Sequence, residues 1–496
     1  MKNRFIRSVL FLISICAFDT INAQVKFEKV YGGNGYDYGN SVTQTYNKGY
    51  AVVGSTTSFG FGSTDAYLLL TDSMGVAIGH NTFGGINIDQ GYSVKQTIDS
   101  GLIIAGYTNS FGHGGYDMYV IKTDKNYNTV WEKTYGGTDW DFAYSIAQTP
   151  SDSGYIIAGS TYSYGSGNED MYLVKTNSAG DTLWTKTYGG AGDDEARSVK
   201  PTIDGGYILT GNTKSFGDPN GDMFIVKTDM HGDTAWTYKY QGPLDDNSYD
   251  VIEDISGTSY IIGGETKSAA LGFQGAILRL NLSGAQISFS SIYGSTADDG
   301  INSIAQSADG KFVTMGYTNS YGAGLSDFAF YQEKPIGSFV GSLTYGGGKD
   351  DVGHCIKNTA DGGYIICGTS LSYSTLEHIY LIKTDSTGHS TGAVVNVTTG
   401  INSIIKEENN ALTIYPNPAN DFVSLKINNK ELLNSKSITI KVIDVLGRVC
   451  SQKILNSVSY SEPITINTSE LVNGAYFINI ESENYFANQK LIIQKQ

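Results

Sequence analysis

The sequence predicts an all-β fold made of seven repeated units, followed by a smaller β module. The first observation is an aromatic residue next to Gly that recurs seven times at intervals of 52 or 53 residues. The second is short alternating segments between Gly-containing turns, which indicate strands. The third is composition, since 61 Gly, 35 Tyr, 8 Pro and only 17% charged residues suit many short strands.

Each repeat contains four predicted strands. Within 141–188 the strands are SIAQT, GYIIAGST, DMYLVKT and DTLWTKTY, separated by SDSG, SYGSGNE and NSAG. Four strands joined by hairpin turns form a meander, and stacked meanders of this period predict a β-propeller. The aromatic anchors of the seven units are Tyr31, Phe83, Tyr135, Tyr188, Tyr240, Tyr293 and Tyr345.

The two ends of the repeat region predict a closed ring. Residues 25–33, VKFEKVYGG, have the pattern of a fourth strand without the other three, whereas the seventh unit lacks its fourth strand. Residues 25–31 therefore complete the blade built from residues 353–385. Closure removes exposed sheet edges, so we expect a monomeric seven-bladed propeller over 25–396.

The repeat resembles kelch and quinoprotein propellers. It has a strand ending in Gly, then a strand near Asp, then D-x-x-G-x-x-x-W, whose Trp in quinoproteins docks on the next blade. Trp131, Trp184 and Trp236 occupy that place, Phe27 and Phe289 substitute for it, and Gly79 and Gly341 break the pattern. The resemblance supports the fold and implies no particular function.

The N-terminus has the pattern of a secretory signal peptide over residues 1–23. Basic MKNRFIR precedes the apolar run SVLFLISICAF, which is too short to span a bilayer, and cleavage is expected after Ala23. A lipoprotein signal is the rejected alternative, because bulky Ile15 precedes Cys16. The formal net charge of −16 becomes −18 once Lys2, Arg4, Arg7 and Asp19 are removed, and an acidic chain without basic clusters disfavours nucleic acid.

Residues 397–411 are polar and irregular, which predicts a linker, and residues 412–496 contain strands with D-x-x-G and N-G turns. These strands predict a small Ig-like β-sandwich. The module resembles the type A sorting domain of the type IX secretion system. The residues that carry the resemblance are Tyr415, Pro416, Asn417, Pro418, Asp421, Val442, Asp444, Gly447, Arg448, Leu471, Gly474, Tyr476 and Lys490.

The sorting-domain resemblance implies handling by the type IX secretion machinery. It also implies passage across the outer membrane and removal of the module near the linker. The product is then secreted, extracellular or held at the outer-membrane surface. One departure is the absence of the usual Gly from the last hairpin, SENYFANQ.

An Asp lies six residues after each anchor. These Asp residues are expected on one face of the ring of blades. Oxygen ligands suit calcium, but a residue present in all seven blades also suits hydrogen bonding to its own turn. We expect the structural role, with calcium as the alternative and no other cofactor. The residues are Asp37, Asp89, Asp141, Asp194, Asp246, Asp299 and Asp351.

A second repeated position differs between blades and is the candidate binding site. It begins the inner strand near the channel mouth, where aromatic faces with amide and guanidinium donors suit a sugar or peptide. A variable solvated rim is the alternative. The residues are Asn40, Tyr92, Tyr144, Arg197, Tyr249, Asn302 and His354.

Blade 7 contains two further departures from the repeat. His354 and His378 suggest a zinc site, but one strand separates them, so we expect no metal there. Cys355 and Cys367 replace a small pair such as Ser145 and Ala158. Their predicted positions opposite each other, and export to an oxidising compartment, predict a disulfide rather than two buried thiols.

The leading functional hypothesis is a secreted, non-catalytic propeller that binds a glycan or a protein. The alternative is a carbohydrate-active hydrolase or lyase. No unique carboxylate pair stands outside the repeat and no Ser occupies a nucleophile elbow. The turn T-D-x-x-G-D-T-x-W differs in spacing from the sialidase Asp-box, and the vicinal disulfide typical of quinone enzymes has no counterpart.

Overall fold

The structure is a computed structural model that describes residues 24–60, 62–217, 220–242, 244–291, 295, 297–335, 337–398, 412–427, 437–444, 449–455, 463–481 and 486–495. These residues form strands joined by turns, and no helix occurs among them. A helix long and apolar enough to cross a membrane is accordingly not found in the described ranges. The predicted signal peptide, Tyr293, Gly447, Arg448 and residues 399–411 of the predicted linker lie outside these ranges.

The first strand, β1 (Phe27–Gly32), precedes six four-stranded antiparallel meanders. Blade 1 contains β2 (Asp37–Gln44), β3 (Tyr50–Thr56), β4 (Asp65–Thr71) and β5 (Ala77–Phe83). Blade 2 contains β6 (Asp89–Gln96), β7 (Leu102–Thr108), β8 (Asp117–Thr123) and β9 (Thr129–Tyr135). Blade 3 contains β10 (Asp141–Gln148), β11 (Tyr155–Thr161), β12 (Asp170–Thr176) and β13 (Thr182–Tyr188).

The next three blades repeat the arrangement. Blade 4 contains β14 (Asp194–Pro201), β15 (Tyr207–Thr213), β16 (Asp222–Thr228) and β17 (Thr234–Tyr240). Blade 5 contains β18 (Asp246–Glu253), β19 (Ser259–Ser268), β20 (Gly272–Asn281) and β21 (Gln286–Ser291). Blade 6 contains β22 (Asp299–Gln306), β23 (Phe312–Thr318), β24 (Asp327–Glu333) and β25 (Phe339–Tyr345).

Blade 7 joins the two ends of the repeat region. Its strands are β26 (Asp351–Asn358), β27 (Tyr364–Ser370) and β28 (His378–Thr384), and β1 pairs antiparallel with β28, placing Tyr31 opposite Ile379. The predicted closure of a seven-bladed propeller is confirmed. A fifth strand that the sequence did not suggest, β29 (Val394–Thr398), runs parallel to β1 on its outer side and covers the edge of β1.

The closing strand is tied to its neighbours by buried polar groups. Glu28, 6% exposed, accepts hydrogen bonds from the hydroxyls of Tyr380 and Ser390 and from the Gly392 N–H at 3.0 Å. The Tyr31 hydroxyl donates to the Gly75 carbonyl of blade 1 at 2.6 Å. Glu28 therefore holds β1 within blade 7, and Tyr31 ties the same strand to blade 1.

The aromatic anchors link consecutive blades. Tyr135 and Tyr188 donate their hydroxyls, each at 2.7 Å, to the carbonyls of Gly180 and Gly232 in the next blade. Both glycines have φ of 78°, a left-handed conformation that glycine adopts without steric cost. A Cβ on Gly180 would lie 3.0 Å from the Trp131 ring, so the expected docking of the tryptophan on the next blade is confirmed.

Four blades contain a buried lysine in the third strand. Each ammonium bonds the carboxylate of an Asp in the first turn and the carbonyl of the following Thr. The pairs are Lys122–Asp99 at 2.9 Å, Lys175–Asp152 at 2.6 Å, Lys227–Asp204 at 2.8 Å and Lys383–Asp361 at 3.0 Å. Burial alone would raise the pKa of Asp204, but bonds from Lys227, Thr202 and the Gly206 N–H lower it below its usual range.

The C-terminal module has two sheets around one core. The first sheet contains β30 (Leu412–Tyr415), β31 (Phe422–Ile427) and β34 (Ile464–Asn467). The second contains β32 (Ile438–Asp444), β33 (Val449–Leu455), β35 (Gly474–Glu481) and β36 (Phe486–Ile493). Val423 and Leu425 pack with Val442, Ile478 and Leu491, which confirms the predicted β-sandwich.

The sorting motif fastens the start of this module to its last strand. Asn417 accepts the Ile492 N–H on its side-chain oxygen at 2.8 Å, and the Ala419 N–H donates to the Ile492 carbonyl at 2.8 Å. The Asp421 carbonyl accepts the Thr468 N–H at 2.9 Å. The motif therefore contributes bonds that join the two sheets of the sandwich.

We expect deletion of residues 25–33 to lower the melting temperature by on the order of 10 °C or more, because buried Phe27, Val30 and Tyr31 leave the core. Calorimetry of the truncated and intact chains measures this change. A synthetic peptide of residues 25–33 should restore much of the loss, whereas a scrambled peptide should not. Equal melting temperatures before and after deletion would contradict ring closure.

Substituting Lys227→Met should lower stability by about 1–2 kcal/mol at pH 7, since two charge-assisted or backbone bonds are lost. The folded pKa of Asp204 is depressed, so the contribution of the pair is present above the unfolded pKa and lost as pH falls through the folded value. Thermal melts at pH 7 and pH 3 should therefore show the deficit shrinking in acid. Lys239→Met, at an exposed lysine, is the control, and an equal deficit at both pH values would refute the ionic contribution.

Candidate functional site: the central channel

The seven inner strands contact one another in a closed ring, and each contains a β-bulge at the same place. In blade 1, Gly39 pairs with Gly54 and Ser41 with Val53, which leaves Asn40 as the extra residue. A bulge reorients the side chains on either side of it. The extra residues are Asn40, Tyr92, Tyr144, Arg197, Tyr249, Asn302 and His354.

These seven residues are the candidate binding residues, and the structure places all of them around one cavity of about 660 Å³ inside the ring. We call them the rim. Whether the rim binds a ligand stays a prediction. The seven candidate residues together form the wall of this cavity, which two neighbouring strands could not enclose alone.

One side of the rim is aromatic. The rings of Tyr92 and Tyr144 meet edge to face with centroids 5.3 Å apart, and the Arg197 guanidinium lies 4.6 Å from the centre of Tyr144. Arg197 also pairs with Glu195 at 2.7 Å. Because these contacts fix the aromatic planes, blades 2 to 4 present a pre-organised surface for a flat or ring-shaped ligand.

The opposite side of the rim is small and polar. Asn302 and Asn40 donate their amides to the carbonyls of Gly353 and Gly91 in the next blade, at 2.9 and 2.8 Å. Burial lowers the pKa of His354 to about 4, so its imidazole is neutral at pH 7. This side of the rim therefore offers acceptors and a neutral imidazole, and the side chains of Asp350 and Glu377 line the cavity beside it.

Below the rim lies a second ring of small polar residues, which sequence reasoning missed. The hydroxyls of Ser41, Ser93 and Ser145 accept the N–H of Val94, Ile146 and Val199 in the following blade, at 3.3, 3.4 and 3.2 Å. These bonds connect neighbouring blades along the channel wall. The ring, here called the hydroxyl tier, is completed by Ser198, Asp250, Ser303 and Cys355.

Asp250 is the exception in the hydroxyl tier. Its carboxylate accepts hydrogen bonds from the hydroxyls of Ser198, at 2.8 Å, and Ser303, at 3.2 Å. It also forms an ion pair with Lys200 at 2.8 Å. Burial alone would raise the pKa of Asp250, but Lys200 and Lys357 hold it well below the usual range. A fixed negative charge therefore sits at one side of the channel.

The deepest residues that line the cavity are three lysines, Lys95, Lys200 and Lys357. They lie two residues beyond the hydroxyl tier in blades 2, 4 and 7, and we call them the lysine tier. In the sequence these residues are recognisable as a lysine three residues after the rim position. Whether that lysine side chain faces the channel depends on the bulge. The channel thus has aromatic and amide groups at the rim, where Arg197 pairs with Glu195, and ammonium groups at depth.

The repeated Asp residues have contacts within their own loops. Asp37 accepts hydrogen bonds from the Gly33 N–H at 2.8 Å, from the Ser58 hydroxyl at 2.6 Å and from the Thr56 hydroxyl at 2.5 Å. Equivalent bonds to a backbone N–H or a hydroxyl involve Asp89, Asp141, Asp194, Asp246, Asp299 and Asp351. Burial raises the pKa of Asp246 to about 6 despite two such bonds.

These contacts give each repeated Asp partners in neighbouring loops, but among the described residues one buried carboxylate oxygen of each of Asp89, Asp141 and Asp351 has no hydrogen-bond partner. Within the described ranges, no group of three or more His, Cys, Asp and Glu side chains is close enough to hold a metal. His378 lies beside Asp37 of blade 1, with Nε2 3.9 Å from Oδ2, while His354 lines the cavity. Calcium binding stays a prediction.

Cys355 and Cys367 are direct partners in the register of β26 and β27. Both are buried free thiols in the structure, so the predicted disulfide is not formed there. Their sulfurs instead contact blade 1, Cys355 Sγ at 3.9 Å from the Val42 carbonyl and Cys367 Sγ at 3.9 Å from the Gly39 carbonyl. Oxidation of this pair in the exported protein stays a prediction.

A ring of six four-stranded sheets and one five-stranded sheet, closed by its first strand, is a β-propeller. Residues 413–494 match the secretion system C-terminal sorting domain. The chain is therefore exported by the type IX secretion system to the cell surface or extracellular space.

Similarity to other proteins is distant. Regulatory protein FlaEY of Caulobacter vibrioides is 25% identical over 207 residues, which cover 36% of this chain and 21% of the relative, so the chain matches about a fifth of that protein's length. The periplasmic gluconolactonase of Pseudomonas aeruginosa has 11% identity and a TM-score of 0.38, covering 73% of this chain and 98% of that chain. A putative 6-phosphogluconolactonase from Bacteroides uniformis has 11% identity and a TM-score of 0.41, covering 65% and 91%.

For the cysteine pair, we expect the mature exported propeller, denatured without reductant, to show no free thiol, and two after reduction, because Cys450 is expected to leave with the sorting module. Thiol titration of protein recovered from the medium measures both numbers. Cys355→Ser is the control, and its remaining thiol, that of Cys367, should be free before reduction. The gain in stability should be about 2–3 kcal/mol for so short a loop. Two free thiols before reduction would refute the bond.

Proposed function

We propose that this protein is an extracellular, non-catalytic glycan-binding propeller and that the rim of the central channel is its binding surface. The observation that carries the proposal is the asymmetry of the rim. A symmetric fold presents Tyr92, Tyr144 and Arg197 on one side of the channel and Asn302, His354 and Asn40 on the other. Aromatic faces beside amide and imidazole groups suit the apolar and hydroxyl faces of a sugar ring.

The size and export of the molecule agree with this proposal. A cavity of about 660 Å³ falls within the range of pockets that hold small ligands and accommodates a sugar unit or a short chain end. Export by the type IX system brings the channel to the surface or the medium, where glycans are available. A protein ligand is the other outcome that the binding test below can reveal.

The electrostatics of Asp250, the one carboxylate of the hydroxyl tier, support binding rather than glycoside hydrolysis at that depth of the channel. A hydrolase requires a carboxylic acid that stays protonated near neutral pH, opposite a second carboxylate. Asp250 in the hydroxyl tier is the reverse case, because Lys200 and Lys357 keep it ionised. It is also occupied by hydrogen bonds from two serines, which fix it as part of the wall.

The test is a glycan array probed with the mature chain, with and without calcium. Tyr144→Ala should weaken binding of any positive glycan about 5- to 100-fold, the loss expected for an aromatic contact of about 1–3 kcal/mol. Tyr321→Ala, at an exposed tyrosine that does not line the channel, is the matched control. Binding that survives Tyr144→Ala, or a change in glycan mass during incubation, would count against a non-catalytic rim site.

A further inference from the structure

The lysine tier collects positive charge inside an acidic protein. The whole chain has a formal net charge of −16, yet Lys95, Lys200 and Lys357 line the deep channel with Asp250 as the carboxylate beside them. With His354 neutral, these four groups sum to +2 at pH 7 if all are ionised. Like charges in a confined space repel each other more strongly than on a surface, so the tier is an electrostatic feature that solubility does not explain.

Asp250 compensates part of this charge, and Cys355 is a second acid beside the lysines while it is a free thiol, because a hydrogen bond with Cys367 and the nearby Lys357 and Lys95 hold its pKa well below the usual value. The Asp250 carboxylate lies 2.8 Å from the Lys200 ammonium and 3.9 Å from that of Lys357. Among the described residues, no carboxylate lies within ion-pair distance of Lys95. Burial, together with repulsion from Lys357 and Lys200, lowers the pKa of Lys95 to about 7. A negative charge placed among the three ammoniums would remove this repulsion.

The rim limits what kind of anion can reach the lysines. Asp350 and Glu377 also line the cavity, each being next to the outer end of a blade 7 strand, β26 or β28. These carboxylates, and the acidic surface, repel a polyanion such as nucleic acid. A ligand with one acidic group can keep its uncharged part at the rim while the charged group extends to the depth of the channel.

We propose that the channel binds an acidic sugar, with its ring against the Tyr92–Tyr144 wall and its oxyanion, a carboxylate or a sulfate, paired with Lys95 and Lys357. This assignment rests on the proposed glycan-binding function and adds the substrate class. The hydroxyl tier lies between the two contacts and supplies donors for ring hydroxyls. Ammonium groups recognise an oxyanion by charge rather than by geometry, so both oxyanions fit the site.

The experiment measures the affinity of the mature chain for four probes by titration calorimetry. D-Glucose, D-glucuronate and D-glucose 6-sulfate share the ring and differ at carbon 6, and sodium sulfate provides the anion without the sugar. We expect glucuronate or glucose 6-sulfate to bind about 10- to 100-fold more tightly than glucose, the factor for one or two charge-assisted bonds.

Variants at one position separate charge from packing. Lys95→Met should lower the affinity for the acidic sugar to nearly the affinity for glucose. The affinity for glucose itself should change by no more than about twofold. Lys95→Arg should retain most of the preference, because it keeps the charge. Melting temperatures of both variants report whether the fold is intact, and Lys133→Met, at a lysine of the outer strand β9, is the surface control.

A second experiment measures the protonation of Lys95 instead of the affinity for the ligand. Reductive methylation with ¹³C-formaldehyde allows the pKa of Lys95 to be measured by NMR, with the Lys95→Arg chain identifying its signal. A bound oxyanion favours the ammonium form, so the pKa of Lys95 should rise with D-glucuronate and stay constant with D-glucose. A purely structural lysine would show the same pKa with both sugars.

Each result decides between the two levels of the proposal. Equal affinity for glucose and glucuronate, or a preference that survives Lys95→Met, overturns the acidic-sugar assignment and leaves glycan binding standing. Binding of sodium sulfate that depends on Lys95, with no binding of any sugar, overturns both the acidic-sugar assignment and the glycan-binding function. Absence of binding by all four probes, combined with an array that shows no glycan, overturns both as well.

Discussion

The structure depends on the pairing of β1 with β28, residues separated by almost the whole propeller. Without it, the sheet edge of blade 7 stays open and the hydrogen bond from Tyr31 to blade 1 is lost. With it, Tyr31 reaches Gly75, Glu28 is enclosed by Tyr380 and Ser390, and the inner strands form a complete ring. The channel exists only because the ring is closed, so the candidate site depends on a strand that contributes no residue to it.

Symmetry explains which residues are available for function. Positions that are alike in every blade are used by the fold, as the Asp37 and Tyr135 types show through their bonds to backbone and hydroxyl groups. Positions that differ between blades lie at the bulge and face the channel. A bulge leaves its extra residue outside the pairing ladder, so the rim can vary from Tyr to Arg to Asn without disturbing the sheets.

Much of the fold was predictable because the period, the turns and the offset ends are local patterns. The depth of the channel was not. With strict alternation from Asn40, the next residues to face the channel would be Val42 and Gln44, but the bulge shifts the strand so that Ser41 lines it and Val42 is buried. The same shift turns Lys95, Lys200 and Lys357 inward. Strand β29 was missed because its pairing with β1 is parallel and long-range, and no local sequence pattern encodes such a pairing.

The lysine tier and Asp250 form one electrostatic unit. Three buried ammoniums alone would cost more than the fold could tolerate, and replacement of one Ser by Asp250 in blade 5 supplies the carboxylate that pairs with Lys200 and approaches Lys357. The hydroxyl tier has five serines and a cysteine in the remaining blades, so the folded protein keeps positive charge in its channel while its surface stays acidic. A bound oxyanion would balance this charge, which is the physical basis of the proposed acidic-sugar site.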